Sequence, residues 1–305
     1  MKGSLATFLL TAIIFISGCL PRHPERTVRP DVPLGEWAEK TVTSEATGQV
    51  YRYLHIAGPS GDAPTMLLLP GGFFDARVWL YFNNLAKYFN LYALDWPDDS
   101  PLYQSNVKDM GDVAADFLTS VKISKLHVTG VSAGAYPAID LVVRHPGIKV
   151  QSLTIISSVM FGISKKEVRT RTRNSKIALC LKPDKMRAVA EWMVMRNEYK
   201  EAPGKIQQKD IFWVRPYSYY RQIFEMTRNQ GSQKQATEDV DVPVFIMHGT
   251  KDEIIDYDTA VDNHTQFDDA KQISIEGGLH SMVFSEGPQL VKMMVAFFLK
   301  KGLLP

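Results

Sequence analysis

The chain has 305 residues, 45% of them hydrophobic and 22% charged, with a formal net charge of +2. That composition excludes a disordered tail, a collagen-like rod and a disulfide-dense mini-protein, and so balanced a charge gives no reason to expect nucleic acid as a partner. Two cysteines, Cys19 and Cys180, leave room for neither a zinc pattern nor a disulfide framework.

Residues 1–18, MKGSLATFLLTAIIFISG, carry one positive side chain, Lys2, ahead of an apolar stretch from Leu5 to Ile16. A helix of that length rises about 18 Å, short of the roughly 30 Å of a hydrocarbon core, so a signal-peptide core is predicted rather than a span. Ile16-Ser17-Gly18-Cys19 resembles the lipobox of bacterial lipoproteins. The resemblance implies cleavage before Cys19, a diacylglycerol on its thiol and acylation of the new amine. Acyl chains in that number anchor a protein firmly, whereas one chain holds only marginally. Leu20 in place of an aspartate then points to the outer membrane of a Gram-negative envelope, facing the periplasm. The competing reading is an ordinary secretory signal with an incidental cysteine. Residues 19–36, rich in Pro and charge, form a tether. With Cys19 acylated, Cys180 has no partner for an intramolecular disulfide.

Beyond the tether, strand and helix patterns alternate. Gln49–Ile56 alternates apolar and polar side chains, as a half-exposed strand does, and Met66–Leu69 is an all-apolar run ending in Pro70-Gly71-Gly72. Helical spacing over Trp79–Phe89 is followed by a buried strand, Leu91–Trp96. Val107–Val121 reads as an amphipathic helix, Leu126–Gly130 as a strand, Ala133–Arg144 as a helix and Leu153–Ser157 as a strand. The rhythm breaks near residue 160 and resumes with a strand at Val244–Met247, a helix at Asp258–Phe267, a strand at Gln272–Ile275 and a closing helix at Pro288–Lys300. Such alternation predicts an α/β fold with a mostly parallel central sheet flanked by helices. The interruption is too long for a plain loop and predicts an inserted, mainly helical cap over 160–240, leaving 37–159 and 241–305 as the core.

Gly130-Val131-Ser132-Ala133-Gly134 has the form G-x-S-x-G between a buried strand and an amphipathic helix. Glycines on both sides remove the Cβ atoms that would collide in a sharp turn exposing the serine hydroxyl. A hydroxyl is a weak nucleophile until a base takes its proton, and that base needs an orienting carboxylate. Of seven histidines, His23 lies in the tether, His55 and His127 inside strand patterns, His145 at a helix end before Pro146, His264 on a surface helix, and His248 at a strand end beside a turn. His280 sits in a loop after a strand, in Gly277-Gly278-Leu279-His280, and is the predicted base. Asp252, just past the strand PVFIMHG, is the predicted acid; Glu253 points elsewhere, and Asp256 and Asp258 suit the cap of the next helix. One oxyanion donor is expected at the Ala133 amide, at a helix N-terminus, and a second at the Gly72 amide, with Phe73 as its alternative.

The segments LLLPGGFFDARVW, LYALDWP, HVTGVSAGAYPAIDLVVRHP, VPVFIMHGTKDEIID and GGLHSMVFSEGPQLV resemble the cap-bearing α/β-hydrolases. The resemblance runs from about Thr65 to Phe298, insertion excepted, and the order Ser132, Asp252, His280 is that of this architecture. It implies a cofactor-free, metal-free serine hydrolase acting on a small or medium acyl ester, without prescribing an oligomeric state. Relatives act on amide, thioester or C–C bonds with near-identical side chains, and a non-catalytic, lipid-anchored envelope or binding protein on the same fold is the alternative outside enzymology. Two departures stand out: Pro70 replaces the usual His before the oxyanion-loop glycine, and Pro97-Asp98-Asp99-Ser100 replaces the usual Gly-x-Gly turn after Asp95.

The insertion holds 17 Lys+Arg against 9 Asp+Glu, with six cations packed between Lys165 and Lys176. This is read either as a solvated helix face or as a surface attracting anionic lipid headgroups or an acidic substrate. The aromatic run Phe212–Met226, with Trp192, Met193 and Met195 upstream, is expected to form the cap's own core and part of a pocket over Ser132.

Overall fold

The computed structural model describes residues 28–103, 109–158, 206, 208–213, 215–216, 218–222, 237, 239–255, 257–261 and 263–304. The signal segment, Cys19, most of the tether, Cys180, the basic stretch from Lys165 to Lys176 and the Trp192–Met195 cluster lie outside the described residues.

Eight strands form one sheet: β1 (Ala38–Thr43), β2 (Val50–Ile56), β3 (Thr65–Leu69), β4 (Asn90–Leu94), β5 (Lys125–Val131), β6 (Lys149–Ile156), β7 (Val244–Gly249) and β8 (Ala270–Ile275). Their order is β1-β2-β4-β3-β5-β6-β7-β8. The β1–β2 and β2–β4 pairs are antiparallel, and every other pair is parallel. Strand β1 was not legible in the sequence, because AEKTVT sits at the sheet edge, is almost wholly exposed and has no apolar alternation. Ser44, Thr47 and Tyr51 all donate to the Asp116 carboxylate, at 2.8, 2.9 and 2.6 Å, which fastens the β1–β2 hairpin to the helix carrying Asp116.

Helices cover both faces. Helix α1 (Ala76–Lys87, 3₁₀ in character) and α4 (Gly287–Lys300) lie on one side, and α2 (Asp109–Ser120) and α3 (Ala135–Arg144) on the other. Leu67 and Leu69 join the core under α2 and α3, whereas Met66 and Leu68 join the core under α1 and α4. That double burial is why β3 reads as an unbroken apolar run. Helix α1 starts three residues before the predicted helix, since Asp75 caps it by accepting the Arg77 amide. The helix expected over Asp258–Phe267 is instead two short turns, Tyr257–Ala260 and Asn263–Gln266. Asp262, between them in sequence, and Asn263, the first residue of the second, are residue types that compete with the helical backbone for hydrogen bonds.

The parallel register brings the strand ends level. Gly130 in β5 faces Leu69, Val131 faces Ile156, Ile156 faces Met247, and Gly249 faces Ile275. Loops leaving β3, β5, β7 and β8 therefore open at the same, C-terminal edge, where open α/β sheets gather their reacting groups.

Candidate active site

Strand β5 ends at Val131, and Ser132 follows with φ of +52°, a left-handed conformation that non-glycine residues seldom adopt. A tight helical turn, Ser132–Gly134, then feeds α3. A side chain at Gly130 would collide with the backbone of Gly134 and Ala135, and one at Gly134 with the carbonyls of Leu69 and Pro70. Both glycines of the motif are thus required by close backbone approach. Pro137 is tolerated in the first turn of α3, where its missing N–H has no intrahelical acceptor.

The loops after β7 and β8 meet the serine. A Cβ at Gly249 would collide with the Gly278 backbone, one at Gly278 would be crowded at 3.0 Å from the Gly249 Cα, and the Lys251 amide donates to the Gly278 carbonyl at 2.9 Å. This fixes Asp252 and His280 relative to each other. His280 Nδ1 lies 2.8 Å from Asp252 Oδ2, and His280 Nε2 lies 3.0 Å from Ser132 Oγ. An ionised carboxylate only accepts, so Nδ1 carries the proton and Nε2 accepts the serine hydroxyl. The Asp252 side chain is wholly buried. Burial alone would raise its pKa, yet His280, then His248 and the Ile255 amide, together hold it below the ordinary carboxylate value. Its other oxygen accepts the Ile254 and Ile255 amides at 2.9 and 2.8 Å.

Opposite them runs the loop 70–75. Gly71 lies against Ser132: a Cβ there would stand 3.1 Å from the serine Cβ. Gly72 follows, and Phe73 takes a left-handed φ of +73°. Ala133 is the first residue beyond Ser132 in the turn leading to α3. Gly72 and Phe73 directly follow the glycine that touches the serine, and the turn after Ser132 leads into the N-terminus of α3, where backbone N–H groups favour negative charge.

Of the remaining histidines, His55, His127 and His248 make structural contacts. His55 Nδ1 is 3.2 Å from Lys40 Nζ, and His127 Nδ1 is 2.7 Å from Ser152 Oγ in the core. His248 donates to the Ile255 carbonyl at 3.0 Å and stands 3.4 Å from Asp252 Oδ2, so it braces the acid's turn. Asp256 and the His264 side chain lie outside the described residues, and Asp258 lies in the first turn of Tyr257–Ala260 instead of capping it. Among the described residues, Asp112, Asp140 and His145 are the one group spaced to hold a metal. The Arg144 guanidinium already bridges the two carboxylates there, 2.8 Å from Asp112, and supplies the positive charge.

A second set of charges was not legible in the sequence. Asp75, fully buried, binds Arg77 at 2.5 Å and accepts the Trp213 indole at 3.2 Å, with Arg29 at 3.4 Å. Arg77 also donates to the carbonyls of Pro30 and Ile211. Burial would raise the Asp75 pKa, but the Arg77 bonds and charge hold it low. Arg215, also buried, lies 2.7 Å from Asp98 and 3.3 Å from Asp95, and donates to the Trp96 carbonyl. The bonds from Asp75, Asp98, Asp95, Trp96 and Arg77 to residues 211–215 join partners 117 to 138 positions apart, so no local pattern announces them.

The sequence profile described as "Alpha/beta hydrolase family" matches residues 66–292, most of the chain. The chain belongs to the alpha/beta hydrolase family. No protein of the curated set matches it in sequence. Among solved structures it is similar to a thermophilic esterase from Thermogutta terrifontis, at 15% identity and a TM-score of 0.69, covering 86% of this chain and 98% of that one. It is likewise similar to the enol-lactonase from Burkholderia xenovorans, at 15% identity and a TM-score of 0.68, over 85% of this chain and 99% of the other. The carboxylesterase CesB from Bacillus subtilis is matched at 15% identity and a TM-score of 0.62, over 98% and 99% of the two chains. At such identities the likeness establishes a shared fold, and within an α/β hydrolase the reaction must be argued from the side chains.

Proposed function

We propose that this α/β hydrolase is a serine esterase that cleaves small or medium acyl esters through an acyl-enzyme, with Ser132 as nucleophile, His280 as base and Asp252 as the orienting acid. The observation that carries the reading is the imidazole of His280, within hydrogen-bond reach of both Ser132 Oγ at 3.0 Å and Asp252 Oδ2 at 2.8 Å. Ser132 Oγ attacks the ester carbonyl as its proton passes to His280 Nε2, and the negative carbonyl oxygen is held by the amides of Ala133 and Gly72. Collapse breaks the C–O bond, and the alcohol leaves with the proton from Nε2. Water then attacks the acyl-serine with the same base, releasing the acid and restoring the hydroxyl. Asp252 stays ionised throughout and stabilises the imidazolium. Each amide of the hole supplies about 3–4 kcal/mol to the transition state. No step calls for a metal or an organic cofactor.

The same proposal places the protein in the bacterial cell envelope, anchored by lipid on Cys19 and facing the periplasm. Ile16-Ser17-Gly18-Cys19 supports it, following a single Lys and an apolar core too short to span.

The test is labelling with a fluorophosphonate and turnover of p-nitrophenyl esters of several chain lengths. The wild type should be labelled and active and Ser132→Ala neither; no labelling and equal rates in both would leave a binding protein on this fold. Metabolic labelling with palmitate should tag the wild type and not Cys19→Ala.

A further inference from the structure

The two positions at which the sequence departs from the family pattern, Pro70 and Pro97-Asp98-Asp99-Ser100, are both joined to Arg215 of the insertion. We propose that Arg215 is a positioning residue for the oxyanion loop: it holds the 70–74 backbone in its productive shape from both ends, so turnover depends on a contact between insertion and core. The inference rests on the hydrolase reading above.

The first end runs through Trp96. Arg215 donates to the Trp96 carbonyl, and the Trp96 indole N–H donates to the Pro70 carbonyl at 2.9 Å, at the start of the loop. The second end runs through the tyrosines of the insertion. The Arg215 guanidinium sits 4.0 Å above the centre of the Tyr219 ring, and the Arg215 amide donates to the Tyr220 hydroxyl at 3.1 Å. The Tyr219 hydroxyl donates to the Phe74 carbonyl at 3.4 Å, and the Tyr220 ring packs on the Phe73 ring with centroids 5.9 Å apart. Arg215, Trp96, Pro70, Phe73, Phe74 and the two tyrosines thus form a closed circuit. Asp98 and Asp95, at 2.7 and 3.3 Å, fix the guanidinium at its centre, and the Ser218 hydroxyl donates to the Asp98 carbonyl at 3.0 Å.

The loop needs such bracing. Phe73 is held at φ of +73°, a conformation that costs a non-glycine residue free energy and persists only where surroundings enforce it. Within the loop the Phe74 amide reaches the Gly71 carbonyl over a long 3.4 Å. An oxyanion donor acts through position: an amide displaced by an ångström loses most of its effect on the transition state and little of its effect on ground-state binding. Removal of the guanidinium should therefore act on kcat more than on KM.

The experiment compares Arg215→Met and Arg215→Lys with wild type on a p-nitrophenyl ester, in the full chain. In Arg215→Met kcat should fall at least tenfold with KM within about threefold, and affinity for an alkyl boronic acid, which forms the tetrahedral adduct on the serine, should fall in parallel. Arg215→Lys, a point charge without the planar fork, should recover only part of the loss. Tyr220→Phe removes one link and should cost a few fold in kcat; it decides the matter if Arg215→Met fails to fold. An unchanged kcat in folded Arg215→Met, or in Tyr220→Phe, with only the melting temperature lowered, would overturn the proposal and leave a purely structural pin. Failure of the wild type to react with fluorophosphonate would instead strike the hydrolase reading itself.

Discussion

Two buried carboxylates, Asp252 and Asp75, stand near the same edge of the sheet in opposite surroundings. Asp252 is met mainly by neutral donors, a histidine and two backbone amides, all from its own loop or the next one along the sheet. Asp75 is met by Arg77 and Arg29 together with the Trp213 indole, and these come from three separate parts of the chain. In the proposed reaction the first arrangement leaves a proton free to move between serine and imidazole. The second neutralises the buried Arg77 charge, and it joins Arg29, helix α1 and Trp213. A carboxylate orienting a base and a carboxylate pinning cations thus part company in what their removal should do: one governs rate, the other stability.

The largest effect should come from the rate side. Asp252→Asn keeps the shape but offers His280 the wrong hydrogen-bond partner, and kcat on a p-nitrophenyl ester should fall about 10⁴-fold, as expected for an acid in this role. Its thermal melting should change far less than that of the next variant. If Asp252→Asn kept more than a tenth of wild-type activity, the acid would be another residue.

Next comes the stability side. Asp75→Ala leaves the buried Arg77 guanidinium without its carboxylate, whereas Arg29 keeps Glu39; losing one partner of a buried ion pair costs about 3–5 kcal/mol. Urea unfolding should report that loss. A change below 1 kcal/mol would mean that water or other groups compensate, and the contrast between the two carboxylates would lose its basis.

Protons sharpen the comparison further. Burial, assisted by Lys125, pushes the His127 imidazole down to about 4. Between pH 6.5 and 4 the unfolded chain therefore takes up a proton that the folded one refuses, so this group lowers stability on acidification, by about 3 kcal/mol when fully expressed. Burial pushes the Asp95 carboxyl the other way, up to about 7, against the pull of Arg215. From about pH 4 to 7 the folded state keeps a proton that the unfolded state loses, so this group raises stability on acidification. His127→Gln should therefore lose less stability than wild type between pH 7 and pH 5, and Asp95→Asn should lose more. Parallel stability curves for the three proteins would refute both assignments.

The smallest effect concerns strain. Ser132, half-buried, carries φ of +52°. Ser132→Gly should be inactive yet more stable by about 1 kcal/mol, since glycine adopts that conformation without steric cost. A less stable Ser132→Gly would show that the hydroxyl's bond to His280 outweighs the strain.

Much of this molecule was written into its local patterns. Unbroken apolar runs in β3 and at the start of β7 can be buried only between two helical layers, and G-x-S-x-G between strand and helix permits a single kind of turn. The positions of Ser132, Asp252 and His280 follow, because parallel register carries the loops after β5, β7 and β8 to one edge whatever lies between them in sequence. Edge strand β1 left no trace, since an exposed strand needs no apolar alternation, and a mixed run of Asp, Asn and β-branched residues hid the break between Tyr257–Ala260 and Asn263–Gln266. Tertiary structure alone decided what Asp75, Asp95, Asp98 and Arg215 are for. A charged residue in a sequence looks the same whether water or another charge awaits it, and only the folded chain, bringing residues over a hundred positions apart into contact, shows which.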